Sequence, residues 1–285
     1  MAQLNGFKIK ISWLGADHTY VTSSDGYIWP CWGRSAGGKL ISSGQGSSAR
    51  ANCLSQNDSH AGIVYGVTGV CHQTSNRILS PAGITVSSAS GYWASVLLYG
   101  VYGTHSAPAL IEWEIRKANC SRISGDRAIA LPVRSAALAA ASKPVAPQSA
   151  EERNFLDKIN EMHASHVKTM TVRGMGEIKH PDFLARELDI MADYKLGKAK
   201  DPKQIKSLQS IQADALKEKD ELVLALNNRK INGEEYAGKV NDLLVTLLNK
   251  CSKNVSEDHY GKLFDVKPGA EFGIVDPKIM AKLHR

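Results

Sequence analysis

The sequence of 285 residues lacks long hydrophobic runs. No window approaches the roughly 18 consecutive apolar residues of a membrane-spanning helix, so we expect no transmembrane segment. The opening residues, Met-Ala-Gln-Leu-Asn-Gly-Phe-Lys, also lack the apolar stretch of a secretory signal. The sequence therefore predicts a cytoplasmic protein and leaves export by a specialised secretion route open.

Cysteine is scarce and irregularly spaced. The five cysteines are Cys31, Cys53, Cys71, Cys120 and Cys251. An odd, widely separated set argues against a disulfide framework and is typical of a reducing compartment. No cysteine or histidine pair has the close spacing of a zinc site, so neither a metal nor a cofactor is expected.

Other signatures are absent or incomplete. No serine lies in a Gly-x-Ser-x-Gly elbow. Residues 33–39 have the spacing of a phosphate-binding loop, but Leu40 follows where such a loop needs serine or threonine for Mg²⁺. The net charge of +7 is not gathered into a basic stripe, so no specific nucleic-acid partner is expected.

The composition, with 43% hydrophobic and 22% charged residues, is that of a globular protein, and its character changes midway. Residues 1–134 are rich in glycine, serine, threonine and aromatics. Residues 135–150 form a Ser/Ala/Pro-rich run that is typical of a linker. Residues 151–285 show charged helical periodicity. The predicted class is α+β, with an antiparallel-sheet N-terminal domain followed by a mainly α-helical domain.

The first region reads as short strands joined by turns. Strands are predicted at 7–13 and 18–24, and the Asp25-Gly26 turn leads into a third strand at 27–32. Further strand candidates are 39–42, 63–67, 84–86, 92–99 and 109–115, although 92–99 suits a helix equally well. Residues 47–59 are polar and predicted to be irregular.

Helix caps divide the second region. Ser149 and Glu152 form a capping box that opens one helix, and Pro181 suits the first turn of the next. Asp201-Pro202 starts a helix that runs to about Asn228. The break at Asn232-Gly233 then leads into a return helix over 234–250, which makes an αα-hairpin.

Cys71 is the candidate nucleophile. A glycine-flanked turn at 66–69 leads into a helix predicted for Cys71 to Leu79, so Cys71 lies in the first helical turn. Free N–H groups there stabilise a thiolate, lower the thiol pKa and can donate to an oxyanion. The alternative is a structural cysteine.

A cysteine nucleophile needs a base, and His18 is the best candidate among nine histidines. It begins an apolar strand that can lie beside the start of the Cys71 helix. His72 would point about 100° away from Cys71 on a helix, which makes it a poor partner. His60 lies at the far end of the predicted strand 63–67. A satisfied histidine at a sheet end is the alternative for His18.

The segments His18-Thr-Tyr-Val and Gly69-Val-Cys71-His-Gln-Thr-Ser-Asn76 resemble the circularly permuted NlpC-like branch of the papain-fold cysteine hydrolases. In that branch, which includes lecithin:retinol acyltransferase-like proteins, histidine precedes cysteine. The resemblance covers residues 7–115 and implies a papain-like fold, with Cys71 as nucleophile and His18 as general base.

The third polar residue of that family has no clear equivalent. Hairpin pairing puts His18 opposite Gly33, with Cys31 and Arg34 nearby, and none of these is a usual orienting residue. Asp17 is a less favourable alternative for this role, because adjacent residues of a strand face opposite sides of the sheet and Asp17 directly precedes His18. Cys31, Gln73 and Asn76 are candidates to stabilise an oxyanion or to line the cleft. Gln73, Asn76 and Arg77 could line the cleft or cap the helix. The aromatics Trp29, Trp32 and Tyr65 are candidates for the wall of a substrate groove, for which core packing is the alternative. Arg77 is expected to form a surface salt bridge.

These patterns predict a cysteine peptidase, amidase or acyltransferase acting on a peptide or protein substrate. The helical half is expected to bind a protein partner, self-associate or cover the cleft. Two alternatives remain: a non-catalytic binding protein on a degenerate papain-like fold, and a delivered toxin or effector that hydrolyses cell-wall peptide.

Overall fold

A computed structural model describes residues 1–55, 60–123, 149–173 and 181–284. Within these residues the chain is α+β, as predicted, with one four-stranded antiparallel sheet in the first half and ten α-helices. Most of the predicted linker at 135–150 lies outside the described residues, so its conformation stays a prediction.

The sheet positions the start of the second strand at an open edge. Its strands are β1 (Ala2–Lys10), β2 (Asp17–Ser23), β3 (Ile28–Trp29) and β4 (Lys39–Gly46), in the order β3-β2-β1-β4. Strand β1 pairs with all of β2, with Ile9 opposite His18. The two-residue β3 pairs only with Val21 and Thr22 of β2. The outer edge of β2 at 17–19 is therefore left for another element.

Four helices follow within the first half, two of them where strands or loops were expected. They are α1 (Ser48–Ser55), α2 (Cys71–Leu79), α3 (Tyr92–Tyr99) and α4 (Ala107–Ser121). The predictions of irregular structure at 47–59 and of a strand at 109–115 are wrong. Segments 63–67 and 84–86 form no strand either. The predicted bounds of α2 are confirmed.

The predicted helices of the second half are confirmed, because their caps are local. They are α5 (Ala150–Arg173), α6 (Pro181–Leu196), α7 (Pro202–Asn227) and α8 (Gly233–Ser252), followed by α9 (Glu257–Phe264) and α10 (Pro277–Leu283). Asp201 caps α7 by accepting from the Lys203 N–H, and Asn232 caps α8 in a capping box with Glu235.

One hydrophobic core joins the two halves. It runs from Leu4 in β1 through α3 to Tyr236 and Val240 in α8 and Met280 in α10. Helix α3 is buried along its whole length and contacts α6, α7, α8 and α9. The helical half is therefore packed against the half that carries the candidate site.

The structure contains one disulfide that the cysteine spacing did not indicate. Cys53 in α1 and Cys120 in α4 form a disulfide, with a Cα–Cα separation of 5.7 Å. Their 67-residue separation conceals the pair in the sequence, and only packing of α1 on α4 brings them together. The prediction of no disulfide is wrong, and cysteine usage no longer supports a reducing compartment.

Candidate active site

Cys71 is the first residue of α2, and the turn before it is fixed by hydrogen bonds. Val70 is the residue at the cap, and its N–H donates to Gln73 Oε1 over 3.1 Å. The first N–H groups of a helix have no partner inside the helix. Those of Cys71 and His72 lie near the Cys71 sulfur, where they favour its thiolate form.

The open edge of β2 faces the same sulfur. The Asp17 carbonyl lies 3.9 Å from Cys71 Sγ, and both the N–H and the hydroxyl of Thr19 favour the thiolate. Alternate residues of a strand direct their peptide groups to the same edge, so Asp17 and Thr19 act together here. The sulfur is surrounded by polar groups rather than by hydrocarbon alone.

Burial nevertheless dominates the acidity of this thiol. Only 7% of Cys71 is exposed, and burial raises the pKa of its thiol to about 11 despite the hydrogen-bond donors around it. The expected lowering of the thiol pKa at a helix start is therefore wrong for the free protein. The free-energy cost of removing water from the thiolate exceeds the stabilisation that the helix N-terminus and Thr19 give it.

His18 is held by the loop after β3. Its Nε2 lies 2.9 Å from the Arg34 carbonyl, which makes Nε2 the protonated nitrogen of the neutral ring and leaves Nδ1 as its basic nitrogen. Burial lowers the pKa of His18, and the carbonyls of Arg34 and Pro30 oppose that shift. The imidazole is therefore neutral at pH 7.

Gly33 lies flat against the His18 ring. A Cβ atom at this position would fall 2.6 Å from His18 Cε1 and 2.7 Å from Nε2, so only glycine fits without displacing the ring. The two residues before it, Cys31 and Trp32, have left-handed backbone at φ values of 50° and 78°. Such strain in non-glycine residues occurs where a structure must hold a particular geometry.

Cys71 and His18 line one cavity of about 510 Å³. His72, Trp32 and Tyr65 also contribute to its wall, together with the end of β1 and the turn after it, from Ile9 to Leu14. Cys71, His18, Trp32 and Tyr65, which the sequence predicts to lie at a common site, all line this cavity.

Several other candidates lie elsewhere. Gln73 and Asn76 are fully buried and do not line this cavity, and Gln73 instead caps α2. Trp29 stacks on Tyr27 within the core. Cys31 is fully buried, and its thiol donates to the Trp29 carbonyl over 3.2 Å. These four side chains act as structural groups around the cavity.

The remaining histidine candidates have other contacts. His72 is buried between the Asp17 carbonyl, 2.9 Å from its Nε2, and Ser95 Oγ, 3.1 Å from its Nδ1. Burial lowers the pKa of His72 to about 4, so it stays neutral. His60 stacks on Trp32, with ring centroids 3.4 Å apart, and does not line the cavity.

Arg77 forms a salt bridge, as predicted, with Glu112, but the predicted surface position is wrong because Arg77 is buried. Only 1% of it is exposed, and it donates to the carbonyls of Ala61 and Tyr102 and to Glu112 Oε2, over 2.8, 2.7 and 2.7 Å. It therefore fastens the segment before Cys71 to α4.

Helix α3 and the helical half together hold the turn that precedes Cys71. The Gly66 carbonyl accepts from the hydroxyls of Tyr99 and Tyr236, over 2.6 and 2.9 Å. Lys219 Nζ donates to the Val67 carbonyl over 3.1 Å. These contacts come from residues up to 170 positions away, so no local pattern indicated them.

Sequence reasoning also missed part of the cavity wall. Five residues of the C-terminal segment line it: Ile274, Asp276, Lys278, Ile279 and Lys282. The Asp-Pro pair that starts α10 signalled a helix, but nothing local signalled where that helix packs. The sequence also could not indicate that the Arg34 carbonyl orients His18, because every residue carries a backbone carbonyl.

Comparison with protein-family models, with curated proteins and with solved structures finds no match for this chain. The resemblance to papain-fold hydrolases therefore stays a prediction. Among the described residues, no group of three or more His, Cys, Asp or Glu side chains is arranged to hold a metal ion. In the same part of the chain, no helix is both long and apolar enough to cross a membrane.

Proposed function

We propose that this chain is a cysteine-dependent hydrolase that attacks the amide carbonyl of a peptide or protein substrate. One observation carries the proposal: Cys71, at the start of α2, and His18, held through Arg34, line the same cavity. A nucleophile and a base that line one cleft, with the base oriented by a third group, are parts that covalent acyl transfer requires. In the free protein the Cys71 thiol donates to the Asp17 carbonyl over 3.9 Å, so it must turn towards His18 for attack.

The resting pair is a neutral thiol and a neutral imidazole. The pKa of Cys71 is raised to about 11 and that of His18 is lowered, so an ion pair is unfavourable in the free protein. Proton transfer then accompanies attack on the bound substrate, with His18 Nδ1 as acceptor. General-base catalysis of this kind is typical of serine nucleophiles and is equally open to a buried thiol.

The reaction proceeds through an acyl-enzyme. Cys71 Sγ forms a bond to the carbonyl carbon while its proton passes to His18, and the carbonyl electron pair moves to oxygen. The N–H groups of Cys71 and His72 stabilise that oxyanion. Collapse of the intermediate expels the amine, which takes the proton from His18. Water, activated by the same ring, then releases the acyl group as a carboxylic acid.

The disulfide between Cys53 and Cys120 favours one form of this proposal, a delivered or exported hydrolase. Disulfides persist mainly in oxidising compartments, where cell-wall peptides are also exposed. Cell-wall peptide is therefore the first substrate to test.

A non-catalytic binding protein is the second candidate, favoured by the raised thiol pKa and the burial of Cys71. A binding protein would use the cavity without needing the thiol. Its ligand affinity would survive replacement of Cys71 by alanine.

The deciding experiment incubates the protein with cell-wall peptide fragments and with a mixed peptide library, followed by mass spectrometry of the products. We expect cleavage by the wild type and a loss of at least about 10³-fold in Cys71→Ala and His18→Ala. Cys251→Ala is the matched control, because Cys251 is also a buried free cysteine but lies in α8, away from the cavity. Equal product from the wild type and Cys71→Ala would overturn the proposal.

A further inference from the structure

The last segment of the helical half forms part of the cavity that holds Cys71 and His18. Residues 274–282, called here the C-terminal wall, contribute apolar side chains from Ile274 and Ile279 and charged side chains from Asp276, Lys278 and Lys282. The segment that contains α10 therefore shares one cavity with Cys71 and His18.

This wall is fixed in place at both ends. The Asp276 N–H donates to Tyr65 Oη over 2.9 Å, in the turn that leads to Cys71. At the far end, the Gly233 N–H donates to the His284 carbonyl over 3.1 Å. Met280 is fully buried between these contacts. Side chains on the outer face of α10 consequently keep a constant position relative to the cleft.

The cavity is lined by more positive than negative charge. Four cationic side chains face it, from Lys10, Arg34, Lys278 and Lys282, against two carboxylates. Both carboxylates have partners: Asp17 forms an ion pair with Lys8 over 2.9 Å, and Asp276 accepts from the Lys278 N–H over 2.7 Å. Within the described residues, none of the four cations forms an ion pair, and all four are exposed.

Two of these cations form a close pair on one helix. Lys278 and Lys282 are four residues apart in α10, so their side chains lie one above the other on the same face. Like charges at this spacing repel each other and destabilise a helix. An anion bound between the two ammonium groups would relieve the repulsion.

We propose that Lys278 and Lys282 form a subsite for a carboxylate of the substrate, so that the hydrolase acts on acidic peptides. This inference rests on the proposed function and specifies its substrate class. A carboxylate entering the cleft meets the two ammonium groups while its neighbouring amide lies against Cys71. Trp13, 56% exposed in the same cavity wall, offers an apolar surface for the rest of the peptide.

The first test measures binding without chemistry, in the Cys71→Ala protein. Succinyl-Ala-Ala amide carries a carboxylate, and acetyl-Ala-Ala amide is its neutral counterpart. We expect the succinyl peptide to bind tighter by about fivefold for each lysine engaged, the size of one ion contact in water. The preference should disappear in Lys278→Gln/Lys282→Gln and shrink in 1 M salt.

Lys203→Gln is the matched control for Lys278→Gln. Lys203 occupies the same place in an Asp-Pro-Lys helix start, with its N–H 2.9 Å from Asp201 Oδ1, but it does not line the cavity. Both lysines are exposed, so neither change should affect folding, which the melting temperature will verify. Equal binding of the two peptides, or a preference that the double glutamine variant retains, would overturn the subsite.

A second test separates failure of the subsite from failure of the proposed function. Cys71 of the otherwise unchanged protein is alkylated by iodoacetamide, which is neutral, and by iodoacetate, which is an anion. Faster reaction of iodoacetamide at Cys71 than at buried Cys251 reports a usable nucleophile. The ratio of the iodoacetate rate to the iodoacetamide rate measures how strongly the two lysine charges attract an anion. It should fall about fivefold or more in Lys278→Gln/Lys282→Gln. Absence of peptide cleavage that depends on Cys71 would overturn the hydrolase, whereas such cleavage together with an unchanged alkylation ratio would overturn only the subsite.

Discussion

Helices α2 and α8 stabilise two regions of this molecule by different means. All nine residues of α2 are buried, and six consecutive ones, from His72 to Arg77, are polar. Helix α8 instead buries an apolar stripe that includes Val240, Leu244 and Leu247. Hydrogen bonds are directional and apolar contacts are not. Helix α2 therefore fixes the positions of the groups that it contacts, whereas α8 contributes hydrophobic stabilisation without fixing orientations.

The polar groups of α2 have partners on every side. Asn76 Nδ2 donates to Tyr92 Oη and to the Val101 carbonyl, and Asn76 Oδ1 accepts from the Val86 N–H. Buried polar groups cost free energy unless they are paired, so each of these contacts constrains its neighbours. The region around α2 is therefore held by directional contacts between paired polar groups, in contrast to the apolar packing of α8.

The largest expected effect comes from Arg77→Leu. It leaves the carbonyls of Ala61 and Tyr102 without their donor and removes one cation from Glu112. We expect the free energy of unfolding to fall by about 3–5 kcal/mol, as much as for Leu244→Ala in the apolar stripe. Urea denaturation measures both. Lys262→Leu, which breaks the exposed pair with Asp258, should cost less than about 1 kcal/mol, and a similar loss for Arg77→Leu would contradict the comparison.

Loss of the disulfide should destabilise the first region next most strongly. Replacing Cys53 and Cys120 by serine removes a cross-link across 67 residues. We expect a fall of about 2–4 kcal/mol in the free energy of unfolding, because the unfolded chain gains freedom. Urea denaturation with and without reductant provides the measurement. If reductant destabilises the double serine variant as much as the wild type, the effect does not come from this bond.

Gly33→Ala should impair catalysis more than folding. The added methyl group would displace the His18 ring by contact with Cε1 and Nε2, and Gly33 itself is exposed. A displacement of about 1 Å can lower the rate about 100-fold. Peptide cleavage gives the rate, and thermal unfolding gives the stability, which should change by at most about 1 kcal/mol. Gly37→Ala serves as a control because no atom of the described residues lies within 4 Å of its added Cβ, although its φ of 76° adds some strain. Full activity in Gly33→Ala would mean that His18 does not need its present position.

The smallest expected effect is a pH dependence from Lys219, which is fully buried in α7. Burial lowers the pKa of Lys219 to about 7. The unfolded chain therefore binds more protons than the folded chain between about pH 7 and pH 10.5, and this lysine's contribution to stability rises with pH across that window. Below pH 7 the cost of burying the charge is present in full. Lys219→Met should remove the slope, which is at most about 1.4 kcal/mol per pH unit.

Urea denaturation from pH 6 to pH 9 checks this prediction. The difference between the wild type and Lys219→Met should be largest at pH 6 and diminish by about 3 kcal/mol towards pH 9, because the slope acts over roughly two pH units above pH 7. Parallel curves at all pH values would show that Lys219 keeps an ordinary pKa. Lys203→Met, in an exposed position of the same helix, should give parallel curves.

The second half was predictable because its signals are local. Ser149, Asp201 and Asn232 each cap the helix that follows, and their hydrogen bonds span only two or three residues. In the first half, α4 was predicted as a strand because apolar residues at 109–115 suit either structure, and only burial of Leu110 and Trp113 reveals a helical face. Short apolar runs do not distinguish a strand from a buried helix.

The sequence by itself determined where the nucleophile candidate lies, since a glycine-flanked turn and a short polar helix place Cys71 at a helix start. It also determined the strand of His18 and the order of the later helices. The tertiary structure alone decided that the thiol pKa is raised, that a carbonyl of Arg34 orients the imidazole, that Cys53 meets Cys120 and that α10 lines the cavity. These properties depend on burial and on contacts between distant residues, which the order of amino acids does not display.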